Sequence, residues 1–420
     1  MGWKNLFKNP QNIKKEVIQL KMNKSLPKIL IISEFFFNEN TGGGVLLKNL
    51  FENYPKNKIF IIHEDINVTD FYKIKSFSLK NKSKLNSIIK LIIPSRFWQL
   101  CIFIKNSFFI KKSKGIGSDL LNKLSEFKPD LIYTILGNYE LMCLIKEIKL
   151  NLKIPMITHI MDNIPANFKN KHCKEYKIFK FFIENSETRI AINSKMAEVF
   201  KENFNCDFST IHNGVDKKKI QYSSKKEDIK VITYIGSVFR NAQLNSLVRI
   251  ASTIKLITSE KYKIKCVFYF PKIQKEMYES LFPNAENISI LTHDLNEQQY
   301  FKKISESDLL ILASNFDKPS IEYYKYSWPA KMGSYLMSKV PIFIFGPPNV
   351  FFVNDAIKRS WAYVESSNSL SNLKKSLSKI LNDNSLRKKI LKKAKIVSHE
   401  FEIKKIRQEL IKLIFRTVEK

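Results

Sequence analysis

The strongest constraint on the fold is a repeated alternation of short, unbroken apolar runs with stretches of helical period. Lys28-Ile-Leu-Ile-Ile-Ser33 and Lys58-Ile-Phe-Ile-Ile-His63 carry no polar alternation, which is how strands covered on both faces read. Between them lie the loop ending in Thr41-Gly-Gly-Gly44 and a helical pattern of Val45, Leu46, Asn49, Leu50 and Phe51. Strand, loop, helix and strand in that order form a βαβ unit. Further strands are predicted at 129–136, 154–160, 188–193 and 208–212, with helical stretches between them. Residues 216–229 are polar and charged without apolar period, the mark of a linker. The alternation then restarts with Lys230-Val-Ile-Thr-Tyr-Ile-Gly236, continues through strands at 265–270, 288–291, 308–312 and 340–345, and closes on helices at 370–381, 386–397 and 402–414.

Two successive α/β blocks imply two doubly wound, Rossmann-like domains facing across a cleft. The expected boundaries are 1–215, a linker at 216–229, a second domain at 230–398, and a C-terminal helix at 399–420 that packs back on the first domain. In such sheets the loops after the carboxyl ends of the strands hold the ligand, and the cleft between the domains is the default site.

Composition narrows the partners. Lys and Arg number 71 against 39 Asp and Glu, a net charge of +32, which favours phosphorylated substrates, anionic membrane surfaces or nucleic acid. Nucleic acid is set aside, because the chain has no basic zipper, finger spacing or RNA-binding strand signature. Five cysteines (Cys101, Cys143, Cys173, Cys206, Cys266) lie far apart, which fits neither a disulfide framework nor a zinc site and points to a reducing compartment. No secretory signal and no spanning helix are read, so a cytoplasmic location is expected. Segment 85–112 is apolar, aromatic and basic at once. It suits a peripheral contact with an anionic inner membrane face, or else an ordinary core helix pair.

Several constellations fall where chemistry is expected. Gly42, Gly43 and Gly44 stand between a strand and a helix in a chain with only 11 glycines. They fit either a cradle for phosphate at a helix N-terminus or a plain turn. His159 and Asp162 follow the 154–160 strand, where they would handle an incoming hydroxyl, or serve as a loop-capped histidine and an N-cap. Gly236 and Arg240 follow the first strand of the second block, with Arg240 suited to a pyrophosphate. Lys331 and Ser334 sit at the start of a helix within Pro329-Ala-Lys-Met-Gly-Ser-Tyr-Leu336, an anion site by position, with a solvated surface cation as the bland reading of each.

In order along the chain, Asn213-Gly-Val-Asp216, Tyr234-Ile-Gly-Ser237, Ser307-Asp-Leu-Leu-Ile311 and Pro329-x-Lys-x-x-Ser-Tyr-Leu-x-x-x-x-x-Pro341 resemble the motifs of GT-B glycosyltransferases of the family 4 kind. His159-Ile-Met-Asp162 with Pro165 resembles the acceptor-domain motif of that group. The resemblance implies a nucleotide-sugar donor bound by the second domain, a glycan or lipid-linked acceptor bound by the first, no metal and no cofactor. It implies that Arg240 and Lys331 hold the diphosphate and that Gly42, Gly43 and Gly44 line it. Gly236, His293, Ser334 and Tyr335 complete the implied donor site, and His159 and Asp162 act on the acceptor. The chain departs from the family where Ser334 and Tyr326 stand at its usual Glu positions and Asn245 at a usual Lys. The rival readings are a basic GT-B scaffold without catalysis, binding membrane or nucleic acid, and a GT-B nucleotide-sugar epimerase.

Overall fold

The computed structural model describes residues 26–39, 41–65, 73–79, 117–168, 170–220, 229–257 and 263–420. Cys101 and the 85–112 segment, with the membrane contact expected of it, lie outside the described residues. The chain builds two parallel sheets. The first contains β1 (Ile29–Ile32), β2 (Ile59–His63), β3 (Lys75–Ser78), β4 (Leu131–Ile135), β5 (Met156–Ile160), β6 (Thr188–Ala191) and β7 (Ser209–Thr210), in the order β3-β2-β1-β4-β5-β6-β7. The second contains β8 (Ile229–Ile235), β9 (Lys263–Phe270), β10 (Ile288–Thr292), β11 (Leu309–Ala313), β12 (Ile342–Phe345) and β13 (Tyr363–Glu365), in the order β10-β9-β8-β11-β12-β13. Both are the doubly wound α/β arrangement that the alternation predicts.

The continuous apolar runs have their reason in double coverage. Leu30 and Ile32 of β1 pack under the helices Ser118–Phe127, Tyr139–Leu152, Lys174–Asn185 and Ser194–Phe204. Ile29 and Ile31 pack on the other face against Leu46, Leu47, Leu50 and Phe51 of the helix Gly42–Phe51. That second face is completed from the far end of the chain, by Ile403, Ile406, Leu410 and Ile414 of the last helix, Ile403–Val418. The second sheet is covered likewise, by Leu247, Ile250 and Ile254 on one face and by Met332, Leu336, Phe352 and Val353 on the other.

Elements missed by the sequence reading are edges and short helices. β3 reads Lys-Ser-Phe-Ser and is mostly exposed, and β13 has three residues. Neither carries an apolar run, because an edge strand has little to bury. The short helices Lys272–Tyr278, Lys318–Tyr324 and Phe351–Arg359 were likewise unmarked. The strand expected over 208–212 shrinks to Ser209–Thr210 at the opposite edge.

The two halves are joined by chain crossings and by side-chain amides. Val215 leaves the first half beside the returning segment: its N–H donates to Phe401 O at 2.8 Å, and Ile403 N–H donates to Val215 O at 3.2 Å. Three asparagines placed after β5, β6 and β7 each donate Nδ2 to a carbonyl of one stretch of the second half. Asn163 reaches Glu322 O at 2.9 Å, Asn193 reaches Tyr326 O, and Asn213 reaches Ala330 O at 3.0 Å. Asn213 Oδ1 in turn accepts from Asn49 Nδ2 at 3.0 Å, tying the helix Gly42–Phe51 into the same junction. Lys48, nearly buried, lies 3.4 Å from Glu297 of the second half and also pairs with Glu39.

Docking of the last helix on the first sheet yields a direct expectation. Leu410→Ala removes a buried side chain from that face, and the transfer and cavity costs together come to about 2–5 kcal/mol. The denaturant midpoint should fall accordingly. A midpoint equal to that of the unaltered chain would show that this helix contributes nothing to the first half.

Candidate functional site

Doubly wound sheets bind ligands where the strand order reverses. Here these points lie between β1 and β4 in the first sheet and between β8 and β11 in the second. The loop after β8 carries Gly236 and Arg240. The chain after β11 passes through the helix Lys318–Tyr324 to Lys331, which directly precedes the helix Met332–Met337.

Lys331 has the most unusual surroundings of any described cation. Its Nζ is covered from solvent, has no hydrogen-bond partner, and stands 3.7 Å from the centroid of the Tyr234 ring. Burial lowers its pKa from 10.5 to about 7. Gly236 makes room for the amine: with φ at +130° it holds a backbone conformation that other residues rarely adopt, and a Cβ there would lie 2.7 Å from Nζ. His293, just after β10, shares the chamber. Its Nδ1 is buried without a partner, its ring lies over Tyr300 at 6.3 Å, and burial together with the Lys331 charge brings its pKa down to about 4. Ser334 closes one side, its hydroxyl 2.6 Å from Tyr300 Oη and donating to Lys331 O at 2.8 Å.

Arg240 lies on the loop after β8, with its guanidinium 5.6 Å from the Tyr278 ring centroid and its Nε buried without a partner. The loop is pinned from β11. Asn315 Nδ2 donates to Arg240 O at 2.7 Å, Asn315 N–H donates to Ala242 O at 2.7 Å, and Asn315 Oδ1 accepts from Ser246 N–H at 3.1 Å. Among the described residues nine buried side-chain polar atoms lack a partner, and three of them belong to Arg240, His293 and Lys331. Buried polar atoms without a partner are rare in folded chains, and Lys331 Nζ and His293 Nδ1 are two of them that act on each other.

Across the cleft stands the start of the helix Gly42–Phe51, capped by Thr41, whose Oγ1 accepts from Gly44 N–H at 3.2 Å. The three glycines differ in role. A Cβ on Gly43 would meet Phe35 at 2.1 Å and one on Gly44 would meet Asn38 at 2.2 Å, so both are glycines for close packing of the preceding loop. Gly42 is exposed, and a Cβ there would lie 3.4 Å from Ala330 Cβ, next to Lys331. Its amide is in the first helical turn, where backbone donors have no intrahelical acceptor.

Asp162 follows β5, is half-buried, and accepts from Ser327 Oγ of the second half at 3.0 Å. Its charge is the largest cause holding the Tyr323 phenol well above its ordinary pKa, with burial and Glu34 adding to it. Glu34, just beyond β1, accepts from Asn138 N–H at 2.6 Å and from Asn138 Nδ2 at 3.0 Å, and Glu64 accepts from the same Nδ2 at 2.8 Å. Glu34, Tyr323, Tyr300 and Asn315 escaped the sequence reading, because each makes its contact with a distant part of the chain.

Besides Gly43 and Gly44, two expected site residues are corrected. His159 is wholly buried within β5, with Nδ1 2.6 Å from Tyr133 Oη and Nε2 3.0 Å from Ile211 O. Burial brings its pKa down to about 4. With both ring nitrogens engaged in the core it has no free position for a substrate proton. Tyr335 is also fully buried, and its hydroxyl accepts from Ile235 N–H at 3.1 Å. It fixes the end of β8 and does not present itself to a ligand. Among the described residues no group of three or more His, Cys, Asp and Glu is placed to hold a metal ion, and no helix is long and apolar enough to cross a membrane.

No family model matches the sequence, and no curated protein matches it. Solved structures do resemble the fold. An α,α-trehalose-phosphate synthase (UDP-forming) from Burkholderia vietnamiensis matches with a TM-score of 0.67 at 10% identity, over 93% of this chain and 99% of that one. Sucrose-phosphate synthase from Thermosynechococcus elongatus matches with a TM-score of 0.64 at 9% identity, over 93% and 98% of the two chains. HepE from Anabaena, solved with UDP-glucose, matches with a TM-score of 0.63 at 10% identity, over 92% and 99%. The architecture is therefore the GT-B fold, over nearly the whole of each chain.

The uncompensated amine of Lys331 should cost the ligand-free protein stability. The unfolded chain holds this proton up to the ordinary lysine value and the folded chain only to about pH 7. Between the two the unfolded state binds more protons, so the stability due to this group rises with pH above 7, and the full cost is present below 7. Lys331→Met, similar in volume and apolar, should therefore raise the melting temperature by about 2–4 °C at pH 6 to 7. The gain should shrink toward pH 10. A lowered melting temperature at pH 6 would contradict the assignment of an unpaired buried cation.

Proposed function

We propose that this chain is a metal-independent glycosyltransferase that moves a sugar from a nucleoside diphosphate to a glycan or lipid-linked acceptor, in cell-surface polysaccharide synthesis. The observation that carries this reading is the buried Lys331 amine without a partner, with His293 Nδ1 and Arg240 Nε likewise unpartnered on the loops after β10 and β8, and Ala330 before it packed against the helix start at Gly42. The UDP-glucose bound to HepE and the UDP-forming reaction named for the trehalose-phosphate synthase support a UDP-sugar as the donor class.

In this reading the diphosphate lies between the Lys331 chamber and Gly42. The negative charge that develops on the departing diphosphate as the sugar–oxygen bond breaks meets the Lys331 ammonium and the Arg240 guanidinium. Donors fixed in advance in a site closed to water stabilise such charge without reorganising. These cations take the part that a divalent ion plays elsewhere, hence the proposed independence of metal. The acceptor enters from the first half, where Asp162 accepts or orients its hydroxyl. Ser327 and Tyr323 tie that carboxylate to the second half. A peripheral station on the inner face of an anionic membrane, through 85–112 and the net charge of +32, fits a lipid-linked acceptor.

Release of nucleoside diphosphate from a UDP-sugar tests this reading. Arg240→Ala and Lys331→Ala should each lower turnover by about 30- to 1,000-fold, the effect of losing one charged donor in a closed site. Asp162→Asn should lower kcat while leaving nucleotide affinity nearly unchanged. Turnover of the unaltered chain should persist in excess EDTA. Undiminished rates in both cation variants, or loss of turnover in EDTA restored by Mg²⁺, would overturn the proposal.

A further inference from the structure

The Lys331 chamber contains no fixed counter-charge. The titratable groups around it are Tyr234 on β8, His293 and Asp294 after β10, Tyr300 on the helix Glu297–Ser305, Tyr324 on the helix Lys318–Tyr324, and Tyr335 on its own helix. Burial pushes all four phenols up, so they stay neutral. His293 is neutral as well, with a pKa of about 4. Asp294 is exposed and acts on His293, and Asp162 acts on Tyr324, but neither acts on the Lys331 amine, whose lowered pKa has burial as its only cause. The amine itself contacts the Tyr234 ring face and the space over Gly236, and a ring quadrupole compensates a cation only in part.

From this geometry we propose that a nucleoside diphosphate enters the site together with one proton from solvent, which converts the Lys331 amine into the ammonium that then pairs with a phosphate oxygen. The inference rests on the reading of the site as a donor site. The balance is simple: the free protein carries R–NH₂, solvent supplies H⁺, and the bound state holds R–NH₃⁺ against the phosphate. The pKa of about 7 in the empty chamber agrees with this, since an opposite charge at contact restores the charged form. Donor affinity thereby becomes pH-dependent: the ligand engages the chamber most tightly where the amine is already protonated.

Calorimetric titration of the full chain with UDP, at pH 8 in buffers of different ionisation enthalpy, tests this directly. A terminal phosphate titrates near pH 6, so at pH 8 the nucleotide takes up no proton of its own. With a pKa near 7 for the free site, about 0.9 proton should be taken up at pH 8 and about 0.5 at pH 7. Affinity should fall roughly tenfold between pH 8 and pH 9. Lys331→Arg keeps the charge at every pH and should bind UDP with no uptake and a flat profile over the same range. A binding heat independent of the buffer at pH 8, or uptake unchanged in Lys331→Arg, would overturn the proton coupling while leaving the donor site standing. Failure of UDP, GDP, ADP and TDP alike to bind would overturn the donor reading and this inference together.

Discussion

Taking a lysine ammonium out of water without a counter-charge costs on the order of several kcal/mol, and the second half of this chain is arranged around such a group. The Tyr234 ring lies beneath the amine, and the positive φ of Gly236 leaves the space that a side chain would otherwise fill. Tyr335 holds the end of β8 by its backbone N–H, and Asn315 holds the Arg240 loop. The Tyr234 ring and the space over Gly236 keep the Lys331 amine where solvent does not reach it. Natural chains retain such an unfavourable placement where it serves binding, and strain of this kind clusters at functional sites.

The junction between the halves follows from the same need. The helix start at Gly42 stands against Ala330, the residue before Lys331. Asn163, Asn193 and Asn213 hold the 322–330 stretch by its carbonyls, each from the end of a different strand. These three hydrogen bonds, each worth about 1 kcal/mol net, tie the halves along that stretch. Lys48 between Glu39 and Glu297 adds an ionic contact at the rim. The last helix then locks the first half to the chain end, so the second half is suspended between two crossings at Val215 and Glu402.

The fold was legible because parallel strands buried on both faces must read as unbroken apolar runs, and Ile29–Ile32 and Ile342–Phe345 do. β3 and β13 were not legible, since edges bury little. Arg240 was placed by the strand it follows and Lys331 by the helix it precedes, and the structure puts both on the loops after the strands of the second sheet. His159 stands on a strand in the same way, yet nothing in the sequence reveals that Tyr133 and Ile211 O would occupy both of its nitrogens. Gly43 and Gly44 likewise looked like a phosphate cradle until Phe35 and Asn38 were seen to fill the space beside them. Local spacing therefore placed these residues on the chain, and only long-range packing shows which of them are engaged in the core.

The central claim is that the orphaned amine of Lys331 is the seat of a nucleotide's phosphate. A structure of the chain solved with UDP tests it most directly. The account predicts a phosphate oxygen within about 3 Å of Lys331 Nζ, with Gly42 facing the same diphosphate and the amine drawn away from the Tyr234 ring. A nucleotide bound elsewhere, with Nζ still resting on Tyr234 and no phosphate oxygen in reach, would contradict it.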